Sequence, residues 1–416
     1  MTPYSKTIAL IALFAMPVYA GGAETATPSS GTQLFSFSGF GTLGVVHSSE
    51  NKADFTSSVF KPGGAGYSQS WSAAVDSLIG AQLTANITPK LSAVVQVIAE
   101  QNYDNTYTPH VEWAFVKYLV TPDFSFRVGR ILLPTFFDSD LRNVGYANPW
   151  VRPPPEVYAL LPITNSDGLD VSYRVHIGDL TDTVQANLGQ NDTQVPYHRG
   201  TGYGRNEWGL ANTAEYGAWT LHIAFQKSQL TMAAFDPLFN AFRQFGPQGI
   251  AIANQYDLDN KPFVTKAIGA RYDPGRWFMM GEWAHSVTHS IFAVDTAWYV
   301  SAGYRLWKFT PYLSYADAKT NRNSDPGLNL AGLPPNLAGF AAGLNAGLNA
   351  ILESNPDQNT VSVGSRWDFT RNLDLKLQYD HAQHGARSAG NLTNLQPGFR
   401  PGGTADLFSA AVDFVF

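Results

Sequence analysis

The chain has 416 residues, of which 14% are charged and 13% aromatic, with 37 Gly, no Cys and a formal net charge of −6. So many rings argue against disorder, the acidic balance excludes a basic nucleic-acid surface, and the missing Cys excludes a disulfide scaffold or a thiolate zinc site. No run of 18 apolar residues exists to cross a bilayer as a helix, yet charge falls well below the ~25% of soluble domains.

The N-terminus carries an address. Lys6 is the only charge before Glu24, and Ile8 to Met16 is an apolar run too short to span a bilayer. Val18-Tyr19-Ala20 then offers small residues to a signal peptidase. A signal peptide is expected over 1–20, followed by a short periplasmic segment at 21–34. The alternative is a buried N-terminal helix.

From residue 35 the chain alternates apolar and polar side chains, the period-2 pattern of strands with two unlike faces. Ile79, Ala81, Leu83, Ala85 and Ile87 oppose Gly80, Gln82, Thr84 and Asn86. Leu169, Val171, Tyr173 and Val175 oppose Asp170, Ser172 and Arg174. The same holds over 219–226, 361–369 and 373–380. Two segments are less clean. Val94 and Ile98 fall on the polar register of 91–101, and Lys117 shares parity with Trp113 and Phe115. Either Lys117 snorkels from a lipid-facing position or that strand has the opposite register.

Connections alternate between short and long. Short turns are expected at 88–90, 121–123, 178–179, 216–218, 273–276, 305–308 and 370–372. Long loops are expected at 48–76, 102–109, 131–166, 190–205, 232–262, 288–294, 319–359 and 382–404. Seven turns and eight loops make sixteen strands. Lipid cannot satisfy a free strand edge, so such a sheet must close on itself. The pattern therefore predicts an all-β fold, a closed antiparallel transmembrane barrel of 35–416 with short periplasmic turns and long extracellular loops. Rings flank the turns (Tyr118 and Phe124, Tyr216 and Trp219, Tyr272 and Trp277), as expected of a membrane-interface girdle. A large secreted β-sandwich or solenoid is the alternative. It is disfavoured by the asymmetry of the connections and by the lack of a fixed repeat.

In these features the chain resembles the sixteen-stranded trimeric general porins of Gram-negative outer membranes. Val128-Gly129-Arg130, ending the strand before the third loop, is similar to porins, and Phe416 resembles the signal read by the outer-membrane barrel insertion machinery. The resemblance implies a third loop, here 131–166, folded into the pore as its constriction. Porins of this type carry acidic residues on that loop and arginines on the facing wall. Asp138 and Asp140 fit the acidic part, with Glu156 behind them. The loop departs from the pattern in also holding Arg142, Arg152 and many prolines. Arg127, Arg174, Arg271 and Arg366 lie on the polar register of their strands and are the wall candidates. The alternative is that they neutralise lumen carboxylates such as Asp170, Glu282, Asp368 and Asp374.

Two loops show helical spacing. Asp236-Pro237 resembles a helix start, with Leu238, Phe239, Phe242 and Phe245 on one side and Gly246 as a stop. Leu337, Phe340, Ala341, Leu344, Leu348, Ile351 and Leu352 recur at three and four, within a stretch that otherwise reads as a flexible Gly/Asn loop. Such a helix is expected to pack on the barrel mouth or over the pore, less so on a neighbouring protomer.

Enzyme chemistry finds little support. No Gly-x-Ser-x-Gly or His-Glu-x-x-His motif occurs, and the His pairs 285/289 and 381/384 fall short of a metal site. The resemblance thus implies a non-catalytic porin, with no metal or cofactor expected, located in the outer membrane and passing small hydrophilic solutes and ions. Its expected partners are the lipid bilayer, lipopolysaccharide and two further copies of itself. The alternatives are a channel specific for a sugar, phosphate or aromatic solute and, more remotely, a barrel hydrolase. In the third loop Phe136, Phe137, Tyr146, Trp150 and Tyr158 are the rings an aromatic constriction would use.

Overall fold

A computed structural model describes residues 34–196 and 200–416. The expected signal peptide lies outside the described residues. Sixteen long strands follow one another: β1 (Phe35–Ser48), β2 (Leu78–Asn86), β3 (Leu91–Glu100), β4 (His110–Thr121), β5 (Phe124–Leu132), β6 (Asn165–Ile177), β7 (Leu180–Gln194) and β8 (Thr201–Tyr216). Then come β9 (Trp219–Met232), β10 (Lys261–Tyr272), β11 (Trp277–Thr288), β12 (Val294–Tyr304), β13 (Phe309–Thr320), β14 (Gln358–Thr370), β15 (Leu373–His384) and β16 (Thr404–Val415). Each pairs antiparallel with its neighbours in sequence, and β1 pairs with β16 from Phe40↔Val415 to Ser48↔Leu407. The ring is closed, so no strand edge is left without a partner.

Alternation decides which side chains face out. Ile79, Leu83, Leu169, Tyr173, Leu221, Ile223, Val363 and Leu377 are all exposed on the outer wall. Gln96, Asp170, His222, Gln226, Glu282, Asp374 and Lys376 are buried inside. The turns at one end are short, and Gly217 in the two-residue link between β8 and β9 has φ +59°, a conformation that favours glycine. Rings at that end touch in series: Trp219 with Tyr272 at 4.7 Å, Tyr272 with Trp277 at 5.2 Å, and Phe309 with Trp367 at 5.6 Å. A second belt lies toward the loop end, with Trp208 on Phe225 at 4.9 Å and Trp298 on Tyr315 at 5.4 Å.

The seam between β1 and β16 depends on two glycines. A Cβ on Gly39 would stand 2.2 Å from the Phe416 ring, and one on Gly41 would stand 2.4 Å from Phe414. The rings therefore lie flat over bare backbone, and Gly39 and Phe416 exchange backbone hydrogen bonds of 2.8 and 2.9 Å.

Strand β4 resolves the Lys117 question. Its register with β3 slips between Gln96 and Val97, so that Gln96 faces Trp113 while Val97 faces Val111. The bulge turns Trp113, Phe115 and Lys117 toward the lumen and leaves Val116, Tyr118 and Val120 exposed outside. Val94, opposite Phe115, and the fully buried Ile98 also face inward. The fourth loop is much shorter than expected, because β7 and β8 continue pairing to Gln194↔Thr201. Polar residues on both faces of this hairpin read as loop in the sequence, yet they pair across a bulge between Gly189 and Asn191.

The fifth loop folds into helices α1 (Asp236–Arg243) and α2 (Gly246–Tyr256), and the seventh into α3 (Pro335–Leu352). Gly246, with φ +66°, opens α2 directly after the two-residue link from α1. Phe239, Phe242, Ala253, Tyr256, Ala341, Leu348 and Leu352 form a fully buried cluster with Ile291. α3 thus packs on the fifth-loop helices, leaving Leu337 and Phe340 exposed although Phe340 stacks on Phe245 at 6.0 Å.

Candidate functional site

The third loop, 133–164, leaves the end of β5 and turns into the barrel. Its apolar side chains pack against β10–β13: Phe136, Trp150, Val157, Tyr158 and Leu160 join Ala267, Phe278, Met280, Ala284, Ala297, Tyr299, Tyr312 and Ala316. Trp150 meets Tyr299 edge-on at 5.6 Å and donates its Nε1–H to Ser301 Oγ at 2.9 Å. The expected aromatic constriction is largely spent in this packing, since Phe136, Trp150 and Tyr158 are buried.

Charged contacts then fasten the loop strand by strand. On β10, Arg271 donates to both Asp138 oxygens, at 2.7 and 2.8 Å, and stacks over the Phe137 ring at 4.6 Å. The Phe137 N–H donates to Glu282 on β11 at 2.8 Å. On β14, Arg366 lies over the Tyr146 ring at 4.6 Å, donates to the carbonyls of Tyr146 and Asn148, and pairs with Asp368 and Asp374. Gln358 and Thr360 of the same strand donate to the buried Glu156 carboxylate. On β15, the fully buried Lys376 donates to the Gly145 carbonyl at 2.6 Å and pairs with Asp413 of β16 at 2.8 Å. Arg152, buried, forms two bonds to Asp76 at 2.8 and 2.6 Å, one to Asp380 at 3.2 Å and one to Ser409 at 2.7 Å.

One stretch of the loop is left facing open space. Asp140 and Leu141 are exposed, and Arg142 and Asn143 line a cavity of 560 Å³ between the loop and the wall of β2–β7. Confinement inside the barrel, reinforced by the Asp138 carboxylate, raises the Asp140 pKa, and Arg271 and Arg127 oppose that shift. The Arg142 guanidinium sits over the Tyr158 ring at 5.5 Å and has no hydrogen-bond partner among the described residues. Burial lowers its pKa, and the carboxylates of Glu112 and Glu100 pull the other way.

The facing wall is layered. Nearer the turns, Arg127 on β5 forms a bidentate pair with Asp170 on β6 at 2.7 and 2.9 Å and stacks on Phe115 at 5.3 Å. Lys117 and the exposed Arg174 lie within electrostatic range of it. Nearer the loops, Glu112 accepts from Asn165 at 3.1 Å, and Glu100 pairs with Lys61 of the first loop at 2.8 Å.

The seven residues expected at a constriction thus fall into two groups. Asp138, Glu156, Arg271 and Arg366 bind the loop to the wall it covers. Asp140, Arg127 and Arg174 surround open lumen. Arg142, Glu100 and Glu112 line the cavity, Lys117 stands on the wall near Arg127 and Arg174, and none of the four was a candidate. A parity break hid Lys117. For Arg142 the signal was present, as a cation within an otherwise acidic loop segment.

By fold the chain is a closed sixteen-stranded barrel of the general-porin type, with the third loop packed against the inside of its wall. The anion-selective porin of Comamonas acidovorans is similar with a TM-score of 0.53 and 10% identity, over 92% of this chain and 99% of that one. OmpF of Salmonella typhi, solved with daunomycin, gives 0.51 and 14% over 92% and 97%. OmpT of Vibrio cholerae, folded in vitro and in trimer form, gives 0.50 and 11% over 92% and 100%. No protein-family model and no curated protein matches the chain. The likeness is therefore one of fold.

Proposed function

We propose that the protein is an outer-membrane porin through which small hydrophilic solutes and ions diffuse passively. The observation carrying this reading is the closed barrel whose folded-in loop leaves Asp140 exposed and, through Arg142, lines a charge-rich cavity of 560 Å³. Short turns then face the periplasm and long loops the exterior. The segment 1–20 acts as a signal peptide, 21–34 as a periplasmic lead, and Phe416 as a contact for the insertion machinery. The trimer form of a fold neighbour supports a homotrimer. The reading assigns the chain no reaction and no cofactor.

At the constriction, Asp140 on the loop faces Arg127, Lys117 and Arg174 on the wall. Charges of opposite sign across a narrow, water-filled gap make a transverse field. Such a field orients dipolar solutes and penalises apolar ones, which must displace ordered water without compensating it. Asp138, Glu156, Arg271 and Arg366 act indirectly, by fixing where the loop stands.

A solute-specific channel is the second reading, favoured by Phe115 under the Arg127 guanidinium and by Trp113 on the same inward face of β4. Planar-bilayer recording of refolded protein tests both. Stepwise ohmic conductance is expected, with block by no single small solute. Saturable block by one solute class would favour the specific channel, and silence at all voltages would overturn the pore.

A further inference from the structure

On the outer wall two lysines have no ion-pair or hydrogen-bond partner among the described residues, and a histidine beside them meets Thr296 Oγ1 through its Nδ1 at 2.8 Å. Lys227 on β9, Lys266 on β10 and His285 on β11 share the outward parity of Ile223, Ile268 and Trp283, all of them exposed. Both lysines are exposed, and neither forms an ion pair or hydrogen bond among the described residues. Other outward-facing cations toward the loop end are matched. Arg130 pairs with Asp167 at 2.8 Å, Arg205 with Asp192 at 2.6 Å, Lys319 with Asp357 at 2.7 Å and His381 with Asp406 at 2.7 Å.

Register brings the three together. Lys266 stands directly opposite His285 on one side and Phe225 on the other, while Lys227 stands opposite Val264 and Trp208. Lys227 and Lys266 are therefore diagonal neighbours. Directly opposed Cβ atoms lie about 4.5–5.5 Å apart and diagonal ones about 7–8 Å, within reach of a common tetrahedral anion for long side chains. Rings stand beside and beneath: Phe225 packs on Trp208, and Trp283 stacks on His285 at 5.8 Å.

Depth places these residues near the outer headgroup boundary. Lys266 is six residues from Tyr272, and His285 eight from Trp277, both in the ring belt at the turn end. At about 3.3 Å per residue and a tilt of about 40°, they stand roughly 15–20 Å above that belt, in an apolar band about 25 Å tall. Extended lysines reach from there to the headgroup boundary.

We propose that Lys227, Lys266 and His285 form a site for the phosphate group of an anionic lipid in the outer leaflet, whose acyl chains lie over Trp208, Phe225 and Trp283. The proposal rests on the outer-membrane reading but not on conduction. It is tested by native mass spectrometry of the detergent-solubilised full chain with three probes: a bis-phosphorylated acylated disaccharide lipid, the same lipid without phosphate, and inorganic phosphate. Retention of the phosphorylated lipid alone is expected, falling about tenfold or more in Lys227→Gln/Lys266→Gln and little changed in Lys319→Gln. Equal retention in wild type and double variant would overturn the site. So would equal retention of the dephosphorylated lipid, or capture of inorganic phosphate with no lipid. Bilayer conductance of the double variant is expected to match wild type. A protein that binds lipid yet conducts nothing would remove the pore reading and leave the site standing.

Discussion

Arg152→Met asks how firmly the third loop is held. Arg152 is 6% exposed, Asp76 7% and Asp380 3%, so the charges of this group are all withdrawn from bulk water. The guanidinium makes four hydrogen bonds, three of them to the two carboxylates. Methionine keeps the stem and its packing near Phe55, but it strands two buried anions. Breaking a buried pair by removing one partner costs about 3–5 kcal/mol. The barrel's backbone ladder does not depend on this contact, so the cost should fall on the loop's attachment to β15, β16 and the first loop. That raises the detached population roughly 10²- to 10³-fold or more. The expected result is faster proteolysis within 133–164, at the bonds around Pro153 to Pro155, together with larger current fluctuations in single-channel records. Removing the stranded charges as well, in Arg152→Met/Asp76→Asn/Asp380→Asn, should restore much of the protection. Equal protection of the single variant and wild type would refute the assignment of Arg152 as an anchor.

Asp140→Asn should move the potassium/chloride reversal potential toward chloride. One charge about 8 Å from a passing ion, at an effective dielectric of about 40–80, is worth about 0.5–1 kcal/mol, or roughly 2–5-fold in permeability ratio. An unchanged ratio would take Asp140 out of the constriction. Because the Asp140 pKa is raised, acidification neutralises it before ordinary carboxylates. Cation preference should therefore begin to fall at a pH above the usual Asp range, and this early phase should vanish in Asp140→Asn. Phe242→Ala empties a fully buried site in the fifth loop and should destabilise the helical cap by about 3–5 kcal/mol, seen as cleavage within 233–260 while the barrel keeps its heat-modifiable gel mobility. Gly39→Val drives a side chain into the Phe416 ring, at a cost of about 1–3 kcal/mol or more, and should slow refolding into the compact gel form.

The sixteen strands and seven turns were legible because the environment writes them twice. Lipid on one side and water on the other force alternation, and rings mark where lipid stops. Loops were legible where Pro and Asn cluster, as in the third, and misread where polar residues still pair, as at 190–205. The same local logic failed at β4, since one extra residue near Glu112 inverts every later parity and no residue type announces a bulge. Parity also could not sort the four arginines. It says only that each points inward, and all four do. Arg271 and Arg366 meet the loop because it runs along β10–β15, whereas Arg127 and Arg174 lie on the wall of β5 and β6, with Arg127 held by Asp170. That path follows from the packing of Trp150, Tyr158 and Phe136 against Tyr299 and Tyr312, residues whose meeting spans more than a hundred positions of sequence.

The seam also bears on the order of assembly. Thr42 and Asp413, 371 residues apart, are hydrogen-bonded neighbours across it. Every other strand pair in the ring joins segments adjacent in the chain, and those hairpins can form as soon as both arms exist. Strand β1 has to wait, with one flank bare, until the whole remaining sheet has been laid down and curled round to meet it. Closing so long a loop carries the largest entropic cost in the fold, and it falls on the final step. An unpaired edge is a hazard for as long as it stays open. A partner that shields β1 during that interval would act on the time spent unclosed and leave the finished ring unchanged.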